Sequence, residues 1–495
     1  MKHAIVIGGG FGGIASALRL RAKNYEVTLI DRCEKLGGRA QFFERNGFRH
    51  DAGPTVITAP FLFEELFALF NEKLADHVTL VPLKPWYRFV YADGDHFDYG
   101  GTLEETLDEI KRIEPDDCDG YLKLLAHSKR IFKVGFVELS TEPFDGLWTM
   151  LKQVPRLIAL QCYKTVWQLV TQYLKSEKLR QAFSIQPLLV GGNPFDTTSI
   201  YGLIHYLERE YGVYFAMGGT HAITKALEQL MRRNKINILL GQTVKSLVIE
   251  ANTVNGVLLE DGKELSADLV VSDADPIHLY TKMIRPEKQQ FLARLKIKKA
   301  KLSMGLFVLY FGTTKTYPDI AHHTIWLGER YQELLKDIFD RKILTDDFSL
   351  YLHRPTATDP SFAPQGCDSF YVLCPVPNLL GGQDWSIEGP KLRDRIVSAL
   401  EKTIMPNLSQ TITEDFYMTP KDFKDNYLGS HGSGFSISPL FTQSAWFRFH
   451  NKAEGIKNLF LVGAGTHPGA GLPGVISSAK LIDKLIPSIG KVKLS

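Results

Sequence analysis

Cysteine is scarce in this chain: five residues in 495 (33, 118, 162, 367 and 374), with no CxxC pair and no zinc spacing. That excludes a disulfide-framed scaffold and a zinc module, and reduced thiols in a cytoplasmic chain are expected. Excess charge is lacking too. Lys and Arg number 58 against 55 Asp and Glu, a net charge of +3, too even for binding nucleic acid through bulk charge, so no nucleic-acid partner is expected. No apolar run reaches the roughly 18 residues needed to span a bilayer. Residues 3–8 already read as a buried strand entering a glycine turn, so no signal peptide is expected. The histidines form no HExxH or paired metal spacing, and no GxSxG marks a serine nucleophile. No metal is expected; His322-His323, and Cys367 with Cys374, read as ordinary strand residues.

What is present is the composition of a folded globular chain, 44% hydrophobic and 23% charged, long enough for two or three domains. Ala4-Ile5-Val6-Ile7 reads as a strand buried on both faces of a parallel sheet. Gly8-Gly9-Gly10-Phe11-Gly12-Gly13 follows at once, then a helical spacing from Ile14 to Lys23 and a second strand, Glu26–Ile30, ending at Asp31. Gly8 permits the tight turn, Gly10 lets backbone approach a pyrophosphate, and Gly13 lets helix and strand pack closely. The helix N-terminus faces the phosphates with its free N–H groups. Asp31 lies 18 residues past Gly13, near the roughly 20 expected for a carboxylate that accepts from a ribose hydroxyl. The unit reads as a dinucleotide site and does not by itself separate NAD from FAD.

Leu36-Gly37-Gly38-Arg39 comes next. A glycine pair followed by Arg suits a loop pressed against a diphosphate with a fixed cation for it, which favours FAD. His50-Asp51-Ala52-Gly53-Pro54-Thr55 then forms a polar stretch between apolar segments. Gly218-Gly219-Thr220 opens a helix over 221–233, followed by strands at Ile236–Leu240, Thr243–Ile249, Val254–Leu259 and Leu269–Val271, with a hairpin turn at Asp261-Gly262. Near the end, strand Leu459–Val462 runs into Gly463-Ala464-Gly465-Thr466-His467-Pro468-Gly469-Ala470-Gly471-Leu472-Pro473-Gly474-Val475 and then a helix to about Leu485. Five glycines and two prolines in a dozen residues exceed what a structural turn needs. They suit backbone N–H groups holding a flavin ring edge and ribityl chain.

The fold expected is α/β: a Rossmann-type FAD-binding domain assembled from residues 1–90, 216–289 and 446–495. Residues 91–215 and 290–445 are expected to form an inserted α+β substrate domain, the first part helical and the second an antiparallel sheet backed by helices. Between 121 and 180, ten Lys and Arg face four acids, and Leu147, Trp148, Met150, Leu151, Leu157, Ile158, Leu160, Tyr163, Trp167 and Leu169 interleave with them. That pattern suits an anionic membrane surface, and a peripherally membrane-associated helical region is expected.

In these motifs the chain resembles the flavin-dependent amine oxidases and, more narrowly, the bacterial-type phytoene desaturases. The narrower likeness spans nearly the full length and includes Asp51–Ile57, Leu189-Val190-Gly191-Gly192-Asn193-Pro194-Phe195 and Thr442-Gln443-Ser444-Ala445-Trp446-Phe447-Arg448. It implies FAD as the redox cofactor, reoxidised by quinone or oxygen, and a long uncyclised polyene such as phytoene as substrate. It also implies hydride transfer from an allylic C–H to flavin N5 with loss of a proton from the neighbouring carbon. FAD contacts are expected at Gly8, Gly10, Phe11, Gly12, Gly13, Asp31, Gly38, Arg39, Gly53, Pro54, Thr55, Val244, Gly463, Gly465, Gly471, Pro473, Gly474 and Val475. Val244 matches the position whose backbone meets the adenine. Asp51 and His467 are the two candidates for moving the proton, each equally suited to holding a loop. The chain departs from its relatives at His50, where an aromatic is commoner, and at Phe449, where Pro is expected. An amine or protoporphyrinogen oxidase and a flavin-free lipid-binding escort protein are the alternatives.

Overall fold

The computed structural model describes residues 2–144 and 146–490. Asp145, one of the four acids counted between 121 and 180, lies outside them, as do residues 491–495 of the last segment.

The nucleotide-type motifs build one sheet. Its five strands run in the order Leu459–Leu461, Leu269–Ser272, His3–Ile7, Glu26–Ile30, Asn237–Leu239, and every neighbouring pair is parallel. Parallel neighbours need long crossovers, which is how strands far apart in sequence come together here. Ala4, Ile5 and Val6 are wholly buried, as a strand covered on both faces must be. The helix Phe11–Ala22 begins directly after Gly10, and its residues from Phe11 to Leu20 are all buried. It packs against the helix Leu472–Lys480, so the first and last thirds of the chain meet there. Arg19, buried within this contact, bonds Asp483 and, at 3.3 Å, Glu65. Beside the sheet, Val244–Glu250, Thr253–Leu259 and Glu264–Ser266 form an antiparallel meander.

A second, seven-stranded sheet runs in the order Ile412–Met418, Gly305–Thr313, Asp368–Val376, Leu350–His353, His323–Trp326, Tyr87–Val90, His96–Tyr99. The strand Gly305–Thr313, second in that order and paired on both sides, is buried at all nine positions. Alternation divides its work: Phe307, Leu309 and Phe311 pack with Trp385, Leu392, Ile396 and Leu400, mostly on the helix Trp385–Thr403, while Leu306, Val308 and Tyr310 face a separate cluster on the opposite side.

Two expectations need correction here. The sheet is mixed, since Tyr87–Val90 pairs parallel with His323–Trp326. The hairpin Tyr87–Tyr99 also straddles the boundary expected near residue 90 and lies wholly in this second sheet. An edge strand with unpaired backbone is a liability, and a hairpin arriving from the first segment covers it.

The stretch from 103 to 211 is helical as expected, with helices Leu103–Ile113, Asp117–Phe132, Leu147–Ala159, Val166–Thr171, Glu177–Ser184 and Leu203–Tyr211. Thr102 and Glu105 close a reciprocal cap on the first of these. The buried Asp117 accepts from the backbone N–H groups of Lys175 and Ser176 at 2.7 and 2.9 Å, tying the start of one helix to the approach of another. Among the described residues no helix is long and apolar enough to cross a membrane.

The departure at His50 has a simple account. It is buried, its Nδ1 lies 3.0 Å from the Ser369 hydroxyl, and its ring meets Tyr310 and Phe416 edge to face. Burial pushes its pKa down to about 3, so it serves as a neutral aromatic. Phe449 likewise stacks on Tyr280.

The close approach at Gly13 makes the first prediction. A Cβ there would fall 1.8 Å from the Gly8 carbonyl oxygen, a backbone atom that cannot step aside. Gly13→Ala should cost at least about 2 kcal/mol of stability, read as a lowered thermal transition of the FAD-loaded protein. An unchanged transition would refute this reading of the turn.

Candidate functional site

One elongated cavity lies between the two sheets, with roughly 2260 Å³ of empty space including its mouth. Its walls differ sharply from one end to the other.

The first end is built at the carboxyl ends of the parallel strands. Gly8, Gly10, Phe11, Asp31, Gly38 and Arg39 line it, as do Gly53, Pro54, Thr55 and Val244, and from the last segment Gly465, Gly471 and Val475. Asp31 holds its own loop: one carboxylate oxygen accepts from Gly9 N–H, the other from Cys33 N–H at 2.7 Å. Gly37 donates to the Gly9 carbonyl at 2.8 Å, with φ +114°, and joins the second glycine pair to the first. Arg39 lines the cavity, and its Nε is buried with no partner among the described residues. Burial pulls its pKa down from the usual value, opposed by Asp275 and Asp273.

Five expected contact residues, Gly12, Gly13, Gly463, Pro473 and Gly474, do not reach the wall. They pack the loops from behind. A Cβ at Gly12 or Gly463 would fall 2.5 or 2.2 Å from an Asp273 carboxylate oxygen, and one at Gly474 would fall 2.6 Å from the Gly469 carbonyl. Pro473 opens the helix Leu472–Lys480, where a missing N–H costs nothing.

Asp273 was not singled out from the sequence, yet it stands at the centre of these loops and lines the cavity. Burial pushes its pKa up to about 7, against the Gly13 N–H and Arg39, which favour the ionised form. Its neighbour Asp275 caps Ile277 and His278 and accepts from the hydroxyls of Ser430 and Ser436, both at 2.6 Å. An acidic pair just past the strand Leu269–Ser272 was the available signal.

Arg448, in a motif noted only for its resemblance, is 1% exposed and has no carboxylate partner among the described residues. Its guanidinium donates to the carbonyls of Ala464 (2.6 Å), Thr466 (2.9 Å), Gln443 (3.2 Å) and Ile437 (3.4 Å). It therefore shapes the last glycine loop from beneath.

The second end of the cavity is apolar. Ile185, Leu188 and Leu189 come from the helical insertion, and Met304, Leu306 and Ile325 from the second sheet and its approach, with Leu350, Leu373 and Phe435. Residues of the two insertions contribute no charged side chain to the lining; the charged groups are Asp31, Arg32, Arg39, Asp273 and Asp275, all at the first end. Where the ends meet, Tyr351 bonds Thr55 through their hydroxyls at 2.6 Å.

Neither candidate for moving a proton lines the cavity. Asp51 is buried against the start of the helix Thr220–Arg233, and burial pushes its carboxyl up to about 7, opposed by the backbone N–H groups of Thr220 and His221. His467 bonds the Leu139 carbonyl through Nε2 at 2.8 Å and packs edge-on against Phe144. Its burial lowers the pKa to about 4.

Comparison with known proteins agrees with this geometry. The profile of the family described as flavin containing amine oxidoreductase matches residues 11–482. The lycopene-forming phytoene desaturase of Pantoea ananas is 46% identical over 97% of this chain and 98% of its own length. That of Pseudescherichia vulneris is 48% identical over 98% and 99%. In fold, the chain is similar to cyclohexylamine oxidase from Brevibacterium oxydans, with a TM-score of 0.62 and 15% identity over 98% of this chain and 99% of that one. An oxidoreductase from Methanosarcina mazei gives 0.63 and 15%, over 97% and 100%. A glycine-walled end, an apolar end, and kinship along almost the whole length lead to one assignment: the chain belongs to the flavin containing amine oxidoreductases, among them to the bacterial-type phytoene desaturases, and its cofactor is FAD.

Proposed function

We propose that this protein is an FAD-dependent desaturase that converts phytoene, an acyclic carotenoid, into more conjugated polyenes such as lycopene. The observation that carries the reading is the division of one cavity into a charged, glycine-rich end and an end without a charged side chain. The residues at the first end fit the cofactor. The orphaned Arg39 Nε awaits an acceptor such as a diphosphate oxygen, and a Cβ at Gly10 would fall 2.6 Å from Asp273, so backbone comes close where side chains cannot. Gly8, Gly10, Phe11, Gly38 and Arg39 would hold the diphosphate region, Asp31 the ribose, Val244 the adenine, and Gly465, Gly471 and Val475 the flavin end.

A hydrocarbon offers no hydrogen-bonding handle, so its affinity comes from burial at about 25 cal/mol per Å² of apolar surface. Leu188, Leu306 and Phe435 supply that surface. FAD held there would supply the hydride acceptor, at N5, for an allylic C–H. The apolar wall holds the chain in line and excludes water from the charge left behind, which is delocalised along the polyene. The proton of the neighbouring carbon passes to solvent at the cavity mouth, since neither Asp51 nor His467 lines the wall. An amine substrate would need a polar or paired-aromatic clamp. Tyr351 and Tyr371 instead meet edge to face at 74° and leave no slot between parallel rings. A flavin-free escort would have no use for the buried cation and the glycine cradle.

The helix Leu147–Ala159 supports the membrane part of the reading. Met150 and Leu157 are buried beneath it, while Trp148 (70% exposed), Leu151 and Ile158 (57%) share its outer face at helical spacing. Lys152 and Arg156 are exposed on the same helix. Such a patch suits an anionic bilayer, from which an apolar substrate arrives and in which a quinone acceptor dissolves; oxygen is the other acceptor.

Three outcomes test these readings. Purified protein given FAD and phytoene-loaded liposomes should develop the stepped absorption of a long polyene; a colourless mixture with phytoene intact refutes the desaturase. The protein should sediment with anionic liposomes at low salt, and Lys152→Gln should weaken binding about fivefold, for roughly 1 kcal/mol per basic residue; wild type left in the supernatant refutes membrane association. Asp273 carries the pH prediction. Its folded pKa is raised to about 7, so the stability it contributes is full below its unfolded pKa near 4 and is lost as pH rises through about 7. Its ionised form also repels a diphosphate. FAD affinity should therefore fall with rising pH above about 7, by up to about tenfold per unit, and Asp273→Asn should flatten that dependence. Equilibrium titration of FAD checks this, and an equal slope in both proteins counts against it.

A further inference from the structure

Three histidines of the second sheet form a cluster that the desaturation chemistry does not use. His323 and His353 face each other directly across the antiparallel pair of strands, with rings stacked 5.3 Å apart at 26°. His322, one residue earlier, brings its ring to 4.7 Å from His323 and 4.8 Å from His353. His323 and His353 are fully buried and His322 is 6% exposed. Of their six ring nitrogens two are hydrogen-bonded: His322 Nδ1 to the Thr358 hydroxyl at 2.7 Å, and His323 Nδ1 to the Tyr351 hydroxyl at 2.8 Å. The other four, Nε2 of His322 and His323 and both nitrogens of His353, are buried without a partner. An unsatisfied buried polar atom costs about 1–3 kcal/mol, so four in one place call for a shared occupant.

We propose that His322, His323 and His353 form a three-imidazole site for a divalent transition metal, with Zn²⁺ the best match. One nitrogen from each ring lies within 4.8 Å of the other two. Tetrahedral Zn–N bonds of about 2.05 Å set ligand nitrogens about 3.4 Å apart, so ring rotations that bring the nitrogens closer by up to about 1.4 Å complete the site. The outer partners are already in place. With Nδ1–H of His322 given to Thr358 and Nδ1–H of His323 given to Tyr351, both Nε2 lone pairs are left for a metal, as metal-bound histidines usually require. An Asp51 carboxylate oxygen 3.8 Å from His353 Nε2 offsets the ion's charge, and the slight exposure of His322 gives a path of entry. Three neutral imidazoles suit zinc or another borderline ion and leave a fourth position for water. The ion would lock the two strands and the Thr358 loop together. Through Tyr351 and Thr55 it would hold the cavity wall where the apolar and glycine-rich ends meet.

The spacing disguised this cluster. Two ligands are adjacent and the third is 30 residues on, whereas a metal motif in sequence shows ligands a turn apart.

The test is zinc content by mass spectrometry of the FAD-loaded protein after equilibrium dialysis against micromolar Zn²⁺, with the X-ray absorption edge reporting the ligands. The expected result is about one zinc per chain with imidazole scattering around it. His322→Gln and His353→Gln should each lower zinc affinity at least tenfold, while the exposed His96→Gln should not change it. Should the ligand variants fail to fold, Thr358→Val removes only an outer hydroxyl and should weaken zinc about 10–100-fold. Wild type holding less than a tenth of a zinc per chain overturns the proposal and leaves water as the shared occupant. Zinc retained in full by folded His322→Gln, His353→Gln and Thr358→Val proteins overturns it equally.

Discussion

Everything in the nucleotide half depends on one carboxyl group fitted against missing side chains. Asp273 ends the strand Leu269–Ser272, and around it Gly8, Gly10, Gly12 and Gly13 arrive from the start of the chain and Gly463 from its end. None of these could carry a Cβ without meeting Asp273 or neighbouring backbone. The glycines thus do two jobs: those at the wall admit a ligand, and those behind admit the aspartate. Three stretches separated by insertions of more than a hundred residues are thereby brought into one loop cluster, and the cofactor end of the cavity exists only where they converge.

The second half obeys the opposite rule. The strand Gly305–Thr313 divides its side chains between a helix-covered core and the cluster on the cavity side, and the insertions present no charge to the ligand space. Charge is confined to where a diphosphate can use it, and apolar surface to where a hydrocarbon can. Arg448, itself buried, spends its guanidinium on four carbonyls, two of them in the last glycine loop, at Ala464 and Thr466.

The strand–glycine–helix units were legible in sequence because short apolar runs, glycine spacing and helical periodicity are local signals, and the strands of the parallel sheet fall within a few residues of their expected places. The wall residues of the cofactor end were largely legible too. Local patterns do not say which glycines face a ligand and which face another part of the chain. Gly12, Gly13, Gly463 and Gly474 belong to the second kind because of Asp273 and two carbonyls contributed by other turns. Asp273 itself looked like any acid after a strand. The mixed character of the second sheet was hidden for the same reason: nothing in Tyr87–Val90 says that its neighbour is more than two hundred residues away.

That hairpin has a mechanical consequence. Residues 87–99 leave the first lobe and are laced by backbone hydrogen bonds into the sheet of the second. The hairpin is therefore carried by the second sheet, tethered to the first lobe through the short link 83–86 that follows the strand Leu80–Pro82.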